Sequence, residues 1–312
     1  MKRRKIIKKI KIKKKEILND YKVAIQSRKI SIIGRKEVLK GKAKFGIFGD
    51  GKELAQIAMS KIFQKGDFRS GYYRDQTFMI ATKSTKIENY FSQLYANTNI
   101  KLEPSSCGRM MNNHFATRLV NKNGKFKKIK EIKNSTADIS PNASQMPRLI
   151  GLGYASKLYK KNKIKKIKNL SNKGNEISLG TIGDAATSEG MFFESINAGG
   201  VLQIPIIISI WDDEYGISVP KKYHTTKESI SKILYGFQKK KNEKGYEIFD
   251  IEGWDYISLC KIYKKAEKIC RKKHIPIIIH VKKMTQPQGH STSGSHEKYK
   301  SKKRITWEKK YD

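Results

Sequence analysis

The stretch NEISLGTIGDAATSEGMFFESINAGGVLQIPIIISIWDDEYGISVP, residues 175–220, decides the fold prediction. NEISLGTIGD is typical of a short strand, SEGMFFESINAGGVLQ of a helix that Ser188 caps, and IPIIISI of a buried strand. A strand, a helix of this length and a second buried strand form a right-handed βαβ unit with parallel strands. GYEIFDIEG, a helix at 255–273 and IPIIIHV repeat the pattern. We therefore predict an α/β fold whose parallel sheet carries helices on both faces.

The predicted helix of this stretch contains two adjacent glycines. Gly199 and Gly200 should each cost about 1 kcal/mol relative to alanine, and we expect close packing on the sheet to compensate. The rest of the chain predicts an amphipathic helix at 16–39, with Ile17, Tyr21, Ala24 and Ile25 on one face. It also predicts a helix in ELAQIAMSKIF after the turn KFGIFGDG and another from about Gln145. Loops are predicted at SGYYRDQ, 121–136 and 160–175.

Acidic residues follow both strands of the first unit, in a segment (183–220) that contains no lysine. Asp184 and the pair Asp212–Asp213 should lie at the carboxyl edge of the sheet, where open α/β sheets bind ligands. Oxygen-bearing side chains on one edge suit Mg²⁺, which takes about six oxygens and commonly completes its shell with phosphates. The alternative is that these acids are ordinary solvated loop residues.

The chain is strongly basic. It contains 67 Lys and Arg against 28 Asp and Glu, a formal charge of +39. Such a balance raises nucleic acid or an anionic membrane as partners. However, the basic runs are scattered and mixed with isoleucine and asparagine, which AT-rich codons favour, and no base-stacking motif accompanies them. We expect solvated lysines and no specific nucleic-acid binding, with a basic nucleic-acid-binding protein as the alternative.

Three widely spaced cysteines, Cys107, Cys260 and Cys270, favour a reducing cytoplasm over a disulfide framework. No run approaches about 20 consecutive apolar residues, so we expect no membrane span. Lysines interrupt the isoleucines of the N-terminus, so no signal-peptide core is predicted there. We expect a soluble cytoplasmic protein with a mobile basic lead at 1–15 and one α/β domain at 16–312.

Several motifs, in order, resemble one known family. GDAATSEG and WDDEYGISVP are similar to the thiamine diphosphate motif, Gly-Asp-Gly followed further on by Asn-Asn. From about Lys42 onward the chain resembles the α subunit of the 2-oxo acid dehydrogenases, of the pyruvate and branched-chain type. The resemblance includes YYRDQ at 72–76, GRMMNNHF at 108–115, SPNASQMP at 140–147 and QGHSTSGSHEKY at 288–299. It implies a thiamine-diphosphate-binding fold.

The resemblance also implies roles for individual residues. Asp184 and Asp213 would bind Mg²⁺ through their side chains, and Tyr215 through its backbone carbonyl. Tyr73 and Arg74 match the pair that holds the diphosphate, where a fork-shaped cation suits phosphate oxygens. Ala185 and Ala186, in the turn after the first acid, would contact the cofactor as well.

Two further segments carry implied roles. His290 matches a histidine on the loop that closes over the cofactor, and we expect it to be the catalytic residue of this chain; Ser291 lies where some relatives are phosphorylated. Ser140 and Asn142 match a segment that meets the aminopyrimidine, and Ser140, Ser144 and Gln145 a site for a monovalent cation in branched-chain relatives. His114 fits either the family pattern or a packed histidine, and we expect structural roles for His224, His274, His280 and His296.

The sequence departs from the family pattern at several positions. Ala185 replaces a glycine, so the turn must accommodate a Cβ beside the diphosphate. Asp212–Asp213 replaces Asn-Asn and adds negative charge, which is unfavourable there unless cations compensate. Trp211 stands where branched-chain relatives can have a phosphate-binding arginine, and Gln76 where a histidine or an acid is common.

In the family, a β subunit or a fused β half completes the active site, and no comparable region follows here. The resemblance therefore implies a chain that is inert alone and works in an α/β heterotetramer. The complete enzyme would decarboxylate a small 2-oxo acid, with the thiazolium ring as electron sink, and pass the acyl group to a lipoyl-bearing acyltransferase. Another thiamine enzyme of the same fold, such as an acetoin-type dehydrogenase, stays open, as does the identity of the 2-oxo acid.

Overall fold

The computed structural model describes residues 12–161 and 169–312. Six strands form one parallel sheet: β1 Phe68–Ser70, β2 Asn134–Ser135, β3 Ser178–Gly183, β4 Ile206–Trp211, β7 Glu247–Glu252 and β8 Ile277–Lys282. Their order across the sheet is β2-β1-β3-β4-β8-β7. A separate antiparallel pair consists of β5 Tyr215–Gly216 and β6 Val219–Pro220.

Nine α-helices lie within the same described residues. They are α1 Lys14–Leu39, α2 Glu53–Ser60, α3 Gln76–Ala81, α4 Ile87–Leu94, α5 Gln145–Lys160, α6 Gly190–Leu202, α7 Ile230–Ile233, α8 Tyr256–Lys273 and α9 Lys302–Tyr311. In the part of the chain described here, no helix combines the length and the apolar character that crossing a membrane requires.

The central strands confirm the α/β prediction. Strands β3 and β4 pair in parallel from Ser178 with Ile206 to Gly183 with Trp211, and α6 connects them. Strands β7 and β8 form the second predicted pair, connected by α8. Alternate residues of a strand face opposite sides of a sheet. Even-numbered isoleucines of β4 (Ile206, Ile208, Ile210) accordingly pack in one buried cluster with α5 and α6, whereas Ile207 and Trp211 pack in a second cluster with α2, α3 and α8.

Close packing explains the first of the two helical glycines. A Cβ on Gly199 would collide with the hydroxyl of Tyr246 and lie 3.1 Å from Cδ1 of Ile206 on β4. That hydroxyl donates a hydrogen bond to the carbonyl of Ile196, at 2.8 Å, and so cannot easily move away. The compensation therefore comes from a tyrosine on the neighbouring loop as well as from the sheet.

The first helix differs from the sequence-based expectation. It begins at Lys14, and its predicted apolar face is mostly solvent-exposed: Ile17, Tyr21 and Ile25 are 40%, 65% and 42% exposed. The buried face instead carries Ser27 and Ser31 together with Asp20, Ile30 and Gly34. This face binds α3 through hydrogen bonds, so hydrophobic periodicity pointed to the wrong side. Residues 1–11 of the predicted basic lead lie outside the described residues.

Other local differences are small. Ser188 does not cap α6; the helix begins at Gly190, and the Ser188 hydroxyl donates to the carbonyl of His224 at 2.6 Å. The predicted loop at 121–136 ends in the short strand β2, too brief to show periodicity. Residues 162–168 of the predicted loop at 160–175 lie outside the described residues.

Candidate cofactor-binding site

The carboxyl ends of β3 and β4 meet at one edge of the sheet, as predicted. Gly183 and Trp211 are register partners, so Asp184 and Asp212 follow at the same level. A pocket of about 90 Å³ opens beside them. It is lined by nine of the residues to which the family resemblance gives a role: Tyr73, Arg74, Asn142, Asp184, Ala185, Ala186, Asp213, Tyr215 and His290. Residues from five distant parts of the chain therefore converge on one place.

Asp184 is the most unusual acid of this pocket. It is 4% exposed, and its Oδ2 is buried without a hydrogen-bond partner among the described residues. Burial, followed by the nearby charges of Asp212 and Asp213, raises the pKa of Asp184 well above its usual range. A buried carboxylate oxygen without a partner calls for an explanation, and a cation bound at this point would supply one.

Asp213 lies beside a buried lysine. Lys52 is 1% exposed, and its ammonium donates to Asp213 Oδ2 at 2.7 Å, to the carbonyl of Thr285 at 2.5 Å and to Oε1 of Gln286 at 3.0 Å. Burial disfavours the charged form of Asp213, but the charge and the hydrogen bond of Lys52 outweigh it and lower the pKa of Asp213. Asp213 is therefore ionised at neutral pH.

Asp212, although adjacent, belongs to the interior. Its carboxylate accepts hydrogen bonds from Lys221 at 2.9 Å and from His280 at 2.8 Å. Burial opposes ionisation, but these two partners hold the pKa of Asp212 at about 2. His280, expected to be structural, thus holds the acid next to the pocket, and its other ring nitrogen lies 3.0 Å from the hydroxyl of Ser231.

Arg74 connects two loops of the pocket. Its guanidinium donates to the carbonyl of Phe48 at 2.5 Å and to that of His290 at 2.8 Å. It also lies over the ring of Tyr73, 5.3 Å from the centroid, a cation–π arrangement. The YYRDQ segment and the loop of His290 are therefore held together at the rim of the pocket.

His290 lines the pocket as a neutral side chain. Burial, and then the neighbouring charge of Arg74, lower its pKa to about 4. Its ring lies edge-on to that of Tyr73, with centroids 6.3 Å apart. At neutral pH the imidazole can donate or accept a hydrogen bond but carries no charge. The next residue, Ser291, is buried, and its hydroxyl lies 2.7 Å from that of Ser293.

The SPNASQMP segment is only partly in the pocket. Asn142 lines it, whereas the exposed Ser140 hydroxyl lies 3.0 Å from Nε2 of His114. His114 is buried, and its Nδ1 contacts the carbonyl of Asn112 at 3.1 Å, so both ring nitrogens have a neighbour. His114 therefore anchors this segment from behind the pocket.

The residues predicted for a monovalent cation offer one suitable acceptor. Gln145, at the start of α5, donates from Nε2 to the carbonyl of Thr181 at 2.8 Å. Its Oε1 is buried without a partner in the described part of the chain. Ser144 is partly buried just before it. The cation site itself stays a prediction.

The departures from the family pattern have local explanations. Ala185 begins a tight 3₁₀ turn at negative φ, and its Cβ occupies the space that a side chain on Gly216 would need, 2.7 Å away. The indole N–H of Trp211 donates a hydrogen bond to the buried carboxylate of Asp75 at 3.3 Å. Gln76 lies behind the pocket, where its amide donates to Ser27 on α1 at 2.8 Å.

Two lysines of the site could not be identified from the sequence. Lys52 and Lys221 are two among many basic residues, and their partners lie 161 and 9 positions away along the chain. Only the unusual extra acids at 212–213 indicated that such cations should exist. Among the described residues, no cluster of three or more His, Cys, Asp or Glu side chains could hold a metal by itself. The pocket thus offers a partial set of oxygen ligands, which suits Mg²⁺ that is also held by phosphates.

Comparison of the sequence with known protein families supports the resemblance on which these site residues were predicted. Residues 21–312 match the family described as dehydrogenase E1 component, and the chain belongs to that family. The resemblance predicted from the motifs is thereby confirmed.

Individual relatives are distant. The chain is 24% identical over 269 residues to a pyruvate dehydrogenase E1 component subunit alpha of Acholeplasma laidlawii, covering 86% of this chain and 64% of the relative. It is 24% identical over 303 residues to the 2-oxoisovalerate dehydrogenase subunit alpha of Bacillus subtilis, covering 95% and 79%. For the mitochondrial 2-oxoisovalerate dehydrogenase subunit alpha of Caenorhabditis elegans the identity is 26% over 270 residues, covering 86% and 53%.

Proposed function

We propose that this chain is the α subunit of a thiamine-diphosphate-dependent 2-oxo acid dehydrogenase. The observation that carries the proposal is the convergence of nine motif residues on one pocket at the carboxyl edge of the sheet. Membership of the dehydrogenase E1 component family supports it. Relatives named as pyruvate and 2-oxoisovalerate dehydrogenase subunits make both 2-oxo acids candidate substrates.

The pocket fits a diphosphate that carries Mg²⁺. The Oδ2 of Asp184, which has no hydrogen-bond partner among the described residues, would become an anionic ligand when the metal binds, and Asp213 and the carbonyl of Tyr215 would supply further oxygens. These are the hard oxygen ligands that Mg²⁺ prefers. Because burial raises the pKa of Asp184, metal binding should displace a proton from it.

In this proposal, the residues of the chain bind and orient the cofactor. Arg74 and Tyr73 lie at the rim, where the guanidinium would face phosphate oxygens. His290, neutral because its pKa is about 4, would donate a hydrogen bond to the diphosphate without adding charge. Arg74 holds the His290 loop over the pocket, which would exclude water. When bound, thiamine diphosphate supplies the carbon nucleophile and the electron sink for decarboxylation.

The remaining parts of the proposal concern partners. A β subunit would supply the rest of the active site, and the acyl group would pass to a lipoyl-bearing acyltransferase. A monovalent cation near Ser140, Ser144 and Gln145 is proposed for the buried acceptor of Gln145. The unpaired Cys107, Cys260 and Cys270 support a reducing, cytoplasmic location.

Turnover tests this proposal. The full chain, mixed with its β subunit, should release CO₂ from pyruvate or 2-oxoisovalerate only with thiamine diphosphate and Mg²⁺, and should acylate lipoamide. Omitting the β subunit is the control and should abolish turnover. Activity on acetoin alone would assign the chain to the acetoin-type enzymes, and no thiamine-dependent turnover of any of these substrates would contradict the proposal.

A further inference from the structure

The pairing of Lys52 with Asp213 concerns the charge of the candidate site. Asp213 occupies a position where the thiamine diphosphate motif has asparagine, so it adds one negative charge where a diphosphate would bind. The ammonium of Lys52 lies 2.7 Å from Asp213 Oδ2, and the lysine is 1% exposed. A lysine is rarely buried to this extent without a charged partner. Asp213 therefore accounts for the burial of the Lys52 ammonium, and Lys52 compensates the extra negative charge of Asp213.

Neighbouring lysines have acidic partners of their own. Lys300 donates to Glu308 at 2.8 Å, and Lys221 donates to Asp212 at 2.9 Å. Each of these buried or partly buried ammonium groups is thus neutralised locally. Neither of them makes a hydrogen bond to Asp213 in the described structure, which leaves Lys52 as the lysine that does.

The resulting charge matches that of the family motif. Lys52 and Asp213 together carry no net charge, so Asp213 adds no net charge to the single negative charge that Asp184 carries when a metal is bound. An aspartate at 184 with a neutral asparagine at 213 would give the same total charge. Lys52 binds Oδ2 of Asp213, while Oδ1 faces the backbone N–H of Tyr215 at 3.3 Å. The pair can therefore replace a neutral asparagine without doubling the negative charge beside the diphosphate.

We propose that Lys52 is the counter-ion of the diphosphate–Mg²⁺ site and that Lys52 and Asp213 act as one unit. This inference rests on the proposed function and assigns a binding role to a residue outside the recognised motifs. It predicts that removing either charge alone shifts the affinities for metal and for diphosphate in opposite directions. Removing both should restore the balance.

The first test removes the cation. In Lys52→Gln, two carboxylates face the pocket without the lysine, so Mg²⁺ alone should bind more tightly, on the order of tenfold. Inorganic diphosphate with saturating Mg²⁺ should bind more weakly by a similar factor. Both are measured by isothermal titration calorimetry on the full chain. A lysine with only a structural role would weaken both ligands together, and that result would overturn the proposal.

The second test removes the anion and then both charges. Asp213→Asn leaves the buried ammonium without its carboxylate, so Mg²⁺ should bind more weakly and the chain should lose stability. The double variant Lys52→Gln/Asp213→Asn should recover diphosphate affinity to within about threefold of wild type and show coupling in urea unfolding. If the double variant binds diphosphate no better than Lys52→Gln, or if the effects of the two substitutions on the free energy of unfolding simply add, the inference is wrong.

A matched control separates the site from general effects. Lys61→Gln removes a lysine of the same region that pairs with Asp20 at 2.5 Å and Glu16 at 2.6 Å and does not line the pocket. It should leave both affinities unchanged. Failure of wild type to bind diphosphate would contradict the proposed function, whereas the unfolding cycle on the unliganded chain still tests the charge pair by itself.

Discussion

Individual side chains set the electrostatics of the pocket. Asp184, Asp212 and Asp213 are neighbouring acids with different environments. One oxygen of Asp184 has no partner among the described residues, Asp212 is held by Lys221 and His280, and Asp213 is paired with Lys52. The sequence predicted the acids because they follow two apolar strands. It could not predict Lys52, because that side chain reaches Asp213 from 161 positions away and has no local signal.

The depressed pKa of His290 predicts how the stability of the folded chain depends on pH. An unfolded chain binds a proton at this histidine near its ordinary pKa of 6.5, whereas the folded chain does so only near 4. His290 therefore favours folding above pH 6.5, and this contribution is lost as the pH falls toward 4. Urea unfolding should show that His290→Asn flattens the loss of stability across this window.

The matched control for this histidine is Ser293→Ala, which changes the same loop without adding or removing a titrating group. It should leave the slope between pH 6.5 and 4 as in wild type. An unchanged slope in His290→Asn would mean that the pKa of His290 is the same in the folded and the unfolded chain.

At the level of elements, the strand–helix–strand units were predictable because long apolar runs alternate with a helix of sufficient length. Strand β2 was missed because its two residues carry no periodicity. The buried face of α1 was missed because its contacts with α3 come from Ser27 and Ser31, which hydrogen-bond to Thr77 and Gln76 at 2.7 Å and 3.1 Å. Hydrophobic patterns cannot reveal an interface formed by hydroxyl groups.

Helix α6 offers a packing prediction. Gly199→Ala should destabilise the protein by about 1–3 kcal/mol, since the new methyl group overpacks the contact with Tyr246. Gly151→Ala is the control: this exposed glycine lies inside α5 with open space around it, so alanine should stabilise by up to about 1 kcal/mol. Chemical denaturation measures both. Equal effects of the two substitutions would show that α6 does not pack as described.

For the whole molecule, the main question is whether the charge of +39 reflects binding to nucleic acid. Binding to duplex DNA, if it occurs, should be weak, indifferent to sequence and steeply reduced by salt, because scattered lysines recognise phosphates rather than bases. Competition assays at two salt concentrations with unrelated duplexes check this. Salt-resistant binding to one sequence would favour the nucleic-acid-binding alternative over the enzyme.

The central claim is that Asp184 holds a metal that anchors the diphosphate, and thermal denaturation of the full chain with its β subunit tests it most directly. Thiamine diphosphate and Mg²⁺ together should raise the Tm, and either alone should do little. A ligand at 100 times its Kd contributes about 2.7 kcal/mol, enough for a clear shift. Asp184→Ala should abolish the shift while the unliganded variant remains folded. A metal-dependent shift of wild-type size in Asp184→Ala would contradict the assignment of the site.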